Sequence, residues 1–359
     1  MLRPIWITAV CTASVLVAPT RAQETPPATQ PDPAPLFASP DLLEITIEAP
    51  LKSLLRDRDE DKESYDGTLR YFLSDGSPVT LDVSLRTRGR FRMKPSTCNF
   101  PPLRLNFKKS QAAETVFAGQ DRLKLVTHCQ DRRDEYEQYV LQEYLVYRTY
   151  NLLTDLSFRV RLARITYIDA ERSRDPLVKY GFLIEDETAM ATRNGWEVLE
   201  VRQVLPAQTK QDQLVLFEVF QFMMGNSDWD PFLTEPGSGA CCHNAVIIGS
   251  MADSAIPVPY DFDWSGVISA RYATPDPMLG IRNVRERRFW GICRPRAELD
   301  SIFPLFHEKR EAIYELHRLQ QGLDPKRLER TLEYYDEFYE IIGDPGKVRN
   351  DMERRCRQT

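Results

Sequence analysis

This chain of 359 residues lacks an excess of basic charge, a zinc-ligand motif and a glycine-rich loop. Its formal net charge of -6 argues against a general nucleic-acid-binding protein, because a phosphate backbone needs a basic surface to neutralise it. There is no C-x-x-C pair and no pair of histidines at ligand spacing, which disfavours a zinc site. A lone glycine, Gly89, lies between Arg88 and Arg90, so any phosphate bound there would be held by arginine side chains.

The first 22 residues have the composition of a cleaved signal peptide. A short basic start precedes an apolar run from Ile5 to Ala18, and small residues up to Ala22 predict cleavage after that position. A membrane anchor is the alternative, but the run is shorter than the ~20 residues that a spanning helix needs. No later segment is long and apolar enough to span a bilayer, so we expect an exported protein, periplasmic or secreted, that is soluble after cleavage.

A proline-rich tether, residues 23–40, follows the signal peptide, and its low apolar content predicts a disordered or extended linker. The length of the remainder allows one large domain or two closely joined lobes. We expect a domain over residues 41–359, with a small lobe at about 41–187 and a large lobe at about 188–359.

Export would place the cysteines in an oxidising compartment, where disulfide bonds form. Of the seven cysteines, Cys11 would leave with the signal peptide, and the remaining six are an even number. The sequence therefore predicts disulfide bonds without fixing their pairing. Because Cys241 and Cys242 are adjacent, we expect them to bond to different partners.

Alternation of apolar and polar residues predicts strands, and apolar residues at helical spacing predict helices. Longer strands are expected at residues 80–88, 103–108, 122–127, 159–169 and 178–185, and short ones at 245–249 and 256–260. Helices are expected at about 134–153 and 214–224, and a mainly helical segment is expected beyond Arg296. This order predicts an α+β, two-lobed protein-kinase-like fold, with a sheet-rich N-terminal lobe and a mostly helical C-terminal lobe.

Polar residues at the ends of apolar segments in the centre of the chain form a candidate catalytic set. Asp228 follows the apolar helix, and Asn244 precedes the first short strand. Asp261 and Asp263 follow the second short strand. In phosphoryl transfer, one carboxylate orients the acceptor hydroxyl, while an asparagine and a second aspartate hold Mg²⁺ or Mn²⁺ against the phosphates. We therefore predict that Asp228 is catalytic and that the metal is bound by Asn244, Asp261 and Asp263.

Each of these residues also has a plainer interpretation. Asp228 could be a turn or helix-capping residue, with Asp230 as the base in its place. The inserted residues 234–242 lengthen the spacing between Asp228 and Asn244, and Asn244 would be only a turn residue if they displace it. The two aspartates at 261 and 263 could form a polar strand end, and His243 could be a surface or capping residue.

Charged residues in the first half of the chain are candidates for binding a nucleotide. Lys124 lies on the strand before the long helix, where we predict that it contacts the phosphates, and Glu143 inside that helix is predicted to hold the lysine. Arg104 and Lys108, on the preceding strand, are rivals for the phosphate contact. Lys124 and Glu143 could instead lie on solvated surfaces, where such residues are common.

Four segments resemble the spore-coat protein H (CotH) kinases, an atypical and often secreted kinase-like family. They are Arg86-Thr87-Arg88-Gly89 with Leu103-Arg104-Leu105-Asn106-Phe107, Tyr180-Gly181-Phe182-Leu183-Ile184-Glu185, Asn226-Ser227-Asp228, and Pro259-Tyr260-Asp261-Phe262-Asp263. The last two are also similar to the Asn-x-Asp and Pro-x-Tyr-Asp signatures of HipA-type kinases. The resemblance implies that Glu185 faces the sugar or base of a nucleotide, and an ordinary carboxylate between the lobes is the alternative.

The residues and the resemblance together predict an exported atypical kinase. It would transfer the γ-phosphoryl group of ATP, with Mg²⁺ or Mn²⁺, to a hydroxyl group on a protein or another exported acceptor. An alternative is an inactive, pseudokinase-like envelope protein that binds a ligand or has a structural role, without turnover. A third hypothesis is a metal-dependent hydrolase in which Asp228, Asp261 and Asp263 hold the ion. None of the three involves a nucleic-acid partner.

Overall fold

The computed structural model describes residues 34–59, 61–234, 241–250 and 254–358, all within the unit Pro31–Thr359. The predicted signal peptide, Cys11 and residues 23–33 of the predicted tether lie outside these ranges. Within the described ranges, no helix is both long enough and apolar enough to cross a membrane.

Seven strands in the first half of the chain form a closed barrel. They are β1 (Leu43–Ala49), β2 (Tyr65–Phe72), β3 (Pro78–Thr87), β4 (Leu103–Phe107), β5 (Arg122–Val126), β6 (Val160–Asp169) and β7 (Leu177–Ile184). Their order around the barrel is β1-β2-β3-β4-β5-β7-β6, and all neighbours but one pair are antiparallel. The exception is β1 with β6, which are parallel with Leu43 opposite Ala163, and this pairing closes the ring.

Alternate side chains of the strands fill the barrel, because successive residues of a strand point to opposite faces of a sheet. The interior is mostly aliphatic and includes Leu69, Leu85, Leu105, Leu123 and Ile165. Three short helices lie against the strands: α1 (Pro35–Ala38), α2 (Leu51–Arg56) and α3 (Lys109–Ala112). The side chains between the interior positions face outward, which leaves the outer surface of the barrel free to carry charge.

A second apolar core forms between helices and a small sheet. The helices are α4 (Asp134–Leu153), α5 (Glu187–Arg193), α6 (Gln211–Met224), α7 (Arg296–Arg318), α8 (Pro325–Ile342) and α9 (Pro345–Asp351). Short 3₁₀ helices lie at Phe91–Met93, Pro206–Gln208, Pro277–Leu279 and Glu353–Arg355. The sheet contains β8 (Glu197–Val198), β9 (Ala245–Gly249) and β10 (Ile256–Pro259) in the order β10-β9-β8, and β10 packs against α6. Since α4 connects β5 with β6, this helix joins the barrel to the second core.

The predicted two-lobed protein-kinase-like fold is wrong, because the strands expected in a sheet-rich N-terminal lobe close into a seven-stranded mixed barrel. The individual strands β3 to β7, β9 and β10, and the helices α4 and α6, are confirmed within a few residues. The prediction omitted β1 and β2, which complete the ring. Alternation locates a strand but does not identify its partner, and the β1–β6 pair joins segments that are far apart in the sequence.

The end of the predicted tether is part of the fold. Helix α1 lies within residues 23–40, and its Leu36 and Phe37 are buried against the barrel core. The guanidinium group of Arg161, in β6, donates hydrogen bonds to the backbone oxygens of Leu36 and Ser39. Two apolar side chains in a polar, proline-rich stretch are therefore enough to hold it on the barrel.

The six cysteines predicted to form disulfide bonds do so. Cys98 bonds to Cys129 and Cys293 to Cys356, while Cys241 and Cys242 bond to each other. The expectation that the adjacent pair bonds to different partners is therefore wrong. The reason is that backbone pairing near the other four sulfurs, such as the hydrogen bond from Phe100 to Cys129, already brings those cysteines together. The bonds are compatible with an oxidising compartment.

Replacement of Gly181 by alanine should destabilise the barrel. A Cβ at this position of β7 would lie 2.8 Å from the backbone oxygen of Val126 and 2.9 Å from Cδ1 of Ile165. Since Val126 belongs to β5 and is held by strand pairing, we expect a loss of about 1–3 kcal/mol in the free energy of unfolding, measured by urea denaturation. Val178→Ala, at an exposed position of the same strand, should change it by less than about 0.5 kcal/mol. Equal losses in the two variants would contradict this explanation.

Candidate functional site

Four of the predicted site residues come together in a cleft beside the barrel, the fourth being Asp263. A cavity of about 580 Å³ is lined by Asp228, Asn244 and Asp261, and also by the arginine-rich segment 88–92 that follows β3. The arrangement of the elements explains this convergence. Asp228 follows the end of α6, and α6 packs on β10. Because β9 and β10 are antiparallel neighbours, the start of β9 and the end of β10 lie side by side.

The loop that carries Asp228 is fixed by buried hydrogen bonds. Helix α6 ends at Gly225, whose left-handed φ of 62° suits a glycine, and the backbone N–H of Gly266 donates to the Gly225 oxygen at 3.0 Å. Asn226 is buried, donates to Oε1 of Gln221 at 3.1 Å, and accepts from the backbone N–H of Asp228 at 3.1 Å. The Asn-Ser-Asp motif therefore uses its asparagine to hold the loop and presents its aspartate to the cleft.

The side chain of Asp228 contacts two neighbours. Its Oδ1 lies 2.7 Å from Nε2 of His243, and its Oδ2 accepts from Nδ2 of Asn244 at 3.0 Å. Asn244 is held in place although residues 234–242 are inserted before it, because the backbones of Asp230 and His243 exchange hydrogen bonds of 3.0 and 3.1 Å. His243, expected at the surface, therefore belongs to the site, and only its place beside Asn244 in the sequence hinted at that.

Asp230, the alternative base, is engaged in shaping the loop. Its Oδ1 accepts from the backbone N–H groups of Phe232 and Leu233 at 2.8 and 3.1 Å. Its Oδ2 forms an ion pair with Arg357 at 2.9 Å. These contacts use both oxygens, so the geometry favours Asp228 over Asp230 as the group that faces a reacting hydroxyl.

Arg92, which the sequence did not single out, binds three carboxylates at the bottom of the cleft. Its guanidinium nitrogens lie 3.3 Å from Glu143, 3.0 Å from Asp261 and 3.4 Å from Asp263. Only 11% of the Arg92 side chain is exposed, so these charges are largely removed from water. The signal in the sequence was the cluster of arginines around Gly89, but nothing in their spacing distinguished Arg92 from the others.

Burial and the neighbouring opposite charges shift the pKa values of this network in opposite directions. Burial raises the pKa of Glu143 to about 7, although Arg92 acts to lower it. Burial likewise raises the pKa of Asp263 well above its ordinary value, against Arg92 and with help from the charge of Asp261. Burial tends to lower the pKa of Arg92 itself, but the three carboxylates outweigh it and raise that pKa. Arg92 therefore stays charged, and burial favours the protonated forms of Glu143 and Asp263.

The predicted pair of Lys124 and Glu143 is not formed. Lys124 Nζ lies 2.5 Å from a carboxylate oxygen of Glu187, at the start of α5, and 4.9 Å from the centre of the Tyr260 ring. Glu143 binds Arg92 in place of the lysine. Lys124 and Glu143 both lie close to the cleft, but each forms an ion pair with a different side chain of opposite charge.

Arg104 lies beside Lys124 on the outer face of the barrel. Strand pairing places Arg86 opposite Arg104 and Arg104 opposite Lys124, so cations from β3, β4 and β5 form one row. Burial, together with the charges of Arg88 and Arg86, lowers the pKa of Arg104. Its Nε is buried and has no hydrogen-bond partner among the described residues. This row is a concentration of positive charge that adjoins the cleft at Tyr260.

Glu185 does not face the cleft. Its two oxygens accept hydrogen bonds of 3.0 Å from Nε and Nη2 of Arg193, and it also accepts from the backbone N–H of Arg159 at 3.0 Å. The side chains of Glu185 and Arg193 are buried. This fixed pair joins β7 to α5, so Glu185 has a role in the fold.

A groove with aromatic walls lies on the other side of Asp228. It has a volume of about 480 Å³ and is lined by Asp228 and His243 together with Trp264, Trp290 and Met278. Asp228 and His243 line both this groove and the polar cavity. A molecule in the groove would therefore meet the same carboxylate as a molecule in the cavity.

The metal ligands predicted from the sequence are close together but are not a complete metal cage. In the described part of the chain, no group of three or more His, Cys, Asp or Glu side chains is arranged to hold a metal ion. Asp261 has one oxygen bound to Arg92, and Asn244 uses its Nδ2 toward Asp228, which leaves its carbonyl oxygen out of that contact. Asp261 and Asn244 are thus the oxygen donors best placed for a hard cation, to be completed by a ligand and water.

Comparison with known proteins gives no match to this chain. No family model, no curated protein and no solved structure matches it. The resemblance of its four segments to the CotH kinases therefore stays a prediction.

Glu143→Gln should change how stability depends on pH. The folded pKa of Glu143 is about 7, against an ordinary value of 4.5. The native state therefore binds this proton more tightly than the unfolded state does, and the resulting stability is lost as pH rises through about 7. An amide does not titrate, so between about pH 5 and pH 8 the variant should lose on the order of 2–3 kcal/mol less than the parent.

Urea denaturation at both pH values, in the presence of a chelator, would measure this difference. Glu114→Gln, at an exposed surface position, is the matched control and should follow the parent. Parallel losses in the parent and in Glu143→Gln would show that the glutamate does not hold the proton.

Proposed function

We propose that the cleft binds a nucleoside triphosphate and transfers its terminal phosphoryl group to a hydroxyl group. The observation that carries the proposal is the convergence of Asp228, Asn244 and Asp261 on one cavity with Arg88 and Arg92. The resemblance of four segments to the CotH kinases supports the same reaction. The proposal rests on the site and not on the fold, since one chemistry occurs on unrelated folds.

Positive side chains around the cavity would hold the phosphates. Arg88 lines the cavity and donates to the Tyr260 hydroxyl at 2.7 Å, while Lys124 Nζ lies 4.9 Å from the centre of the ring of that tyrosine. Arg104 adds a third cation in the next strand. Phosphoryl transfer depends mainly on positioning and on charge stabilisation, which such a set of cations supplies.

A divalent ion, Mg²⁺ or Mn²⁺, would be held by Asp261 and Asn244. The incomplete protein cage fits this kind of ion, because Mg²⁺ is usually bound by one or two carboxylates and by the phosphates and water. When bound, it would neutralise charge on the phosphates. Asp263 is buried against Arg92, which makes it a support for Asp261 and a poor ligand itself.

Asp228 would orient the acceptor. A hydroxyl that enters through the aromatic groove meets the Asp228 carboxylate, and its oxygen attacks the terminal phosphorus as the bond to the leaving diphosphate breaks. The hydroxyl proton passes to Asp228, whose contact with His243 at 2.7 Å keeps the carboxylate in one orientation. The products are the nucleoside diphosphate and a phosphate ester. The acceptor would be a protein or another exported molecule, since the disulfide bonds support a periplasmic or secreted location.

A second candidate function is ligand binding without turnover. The contact of 3.0 Å between Arg92 and Asp261 favours it, because it occupies an oxygen that a metal ion would use. The cleft would then belong to an exported binding or structural protein. The hydrolase hypothesis has no such support, since Asp228, Asp261 and Asp263 are not among any described cluster of metal-binding side chains.

ATP together with Mg²⁺ should stabilise the chain more than either does alone. A ligand that binds only the native state at a hundred times its Kd adds about 2.7 kcal/mol, which thermal denaturation would detect as a rise in Tm. Asp261→Asn should remove most of the metal-dependent part of that rise, and Asp66→Asn, at an exposed position on the barrel, should keep it. Stabilisation by the metal alone, with no effect of ATP, would contradict nucleotide binding.

Asp228→Asn should lower phosphoryl transfer by about 10²–10⁴-fold, because the amide cannot accept the hydroxyl proton. Transfer from labelled ATP to acceptors in an extract of exported proteins and glycans would measure it, with Asp66→Asn as the control of equal charge change. Stabilisation by ATP with no transfer by the parent chain would favour the binding function. Full transfer by Asp228→Asn would exclude Asp228 as the catalytic group.

A further inference from the structure

A second polar cavity is lined by arginines and contains no carboxylate. It has a volume of about 320 Å³ and lies between α4, α8 and the segment that follows Asp263. Arg285, Arg327 and Arg330 face it, with Gln142 and Ser269 as the other polar residues. None of these residues lines the cleft or the aromatic groove, so the cavity, called here the arginine pocket, is a separate site.

Arg285 and Arg327 pack against aromatic rings, Arg330 is exposed, and none of the three forms an ion pair with any residue that the structure describes. Arg285 lies 5.0 Å from the ring centre of Tyr334, and Arg327 lies 4.9 Å from that of Tyr139. Other arginines of the same surface do find carboxylates. Arg271 pairs with Glu135 and Arg282 with Glu286, each at 3.0 Å. Acidic side chains are therefore present on the neighbouring surface, and it is the lining of the pocket that contains none.

The floor of the pocket is rigid. Gln142 is buried, and its Nε2 donates to the backbone oxygen of Val267 at 3.2 Å and to the hydroxyl of Thr331 at 3.3 Å. Its Oε1 accepts from Nη1 of Arg327 at 3.1 Å, which fixes one guanidinium. Arg327 has five N–H groups, so N–H groups beyond its contact with Gln142 can reach a ligand, and the guanidinium of Arg285 forms no hydrogen bond with any described residue.

We propose that the arginine pocket binds a tetrahedral oxyanion, either inorganic phosphate or a phosphate monoester. Three like charges around one cavity repel each other unless an anion lies between them. Guanidinium groups bind phosphate oxygens through pairs of charge-assisted hydrogen bonds, and the Ser269 hydroxyl and Arg330 lie at the same cavity to add to them. This inference does not depend on the function proposed for the cleft.

Isothermal titration of the full chain with inorganic phosphate, at constant ionic strength set by chloride, would test the pocket. We expect saturable binding that Arg330→Gln weakens by roughly tenfold or more, because one charge-assisted contact is lost. Arg330 is exposed, so its replacement leaves the core intact. Arg285→Gln should weaken binding in the same way, and Arg349→Gln, an exposed arginine on α9, should bind phosphate as the parent does.

Two further arms identify the ligand and the site. Glycerol phosphate in place of inorganic phosphate tests a monoester, and tighter binding of it would assign the pocket to phosphate esters. Weaker binding in Arg285→Gln and Arg330→Gln, with unchanged binding in Arg349→Gln, would assign the phosphate to the arginine pocket and not to the arginines of the cleft. Binding that is no stronger than that of chloride, or that is equal in the parent, Arg330→Gln and Arg285→Gln, would overturn the proposal.

Discussion

The arrangement of the cleft depends on the ion pairs that the guanidinium group of Arg92 forms with three carboxylates. Arg92 lies after β3 of the barrel, while its carboxylate partners come from α4 and from the segment after β10. One side chain thus links the barrel, the long helix and the small sheet. Removing one partner from a buried ion network costs about 3–5 kcal/mol, because the remaining charges stay buried without compensation. The position of Asp261 relative to Asp228 is therefore set by this cation together with the pairing of β9 and β10.

Backbone pairing, together with the Arg92 network, explains how an insertion can enter the site without separating Asp228, Asn244 and Asp261. Residues 234–242 lie between Asp228 and Asn244, but the paired backbones of Asp230 and His243 close that loop at its base. The cost of closing a loop rises slowly with its length, so additional residues can be accommodated beyond a fixed base. Arg92 holds Asp261 from the other side, and the distance between the three polar groups does not depend on the length of the insertion.

The sequence predicted local structure and the order of the polar residues well, and charge pairing poorly. Alternation and helical spacing located β3 to β7 and α6, because burial of one face is a local property of the pattern. The closure of the barrel and the partners of Lys124, Glu143 and Glu185 were not predictable in this way. Each of those contacts joins segments brought together by the fold, and spacing along the chain does not encode which opposite charge will be nearest.

Asp228 lies at the boundary between the two compartments of the site. With His243 it forms part of the wall between a polar cavity edged with arginines and a groove with tryptophan walls. The first compartment contains the arginines of segment 88–92 and the oxygen donors Asn244 and Asp261, the second contains Trp290 and Met278, and Trp264 lines both. A group that moves from a charged donor to an acceptor with an apolar face would have to pass this carboxylate. The place of Asp228 in both compartments thus supports the proposed transfer more than any single contact of its side chain does.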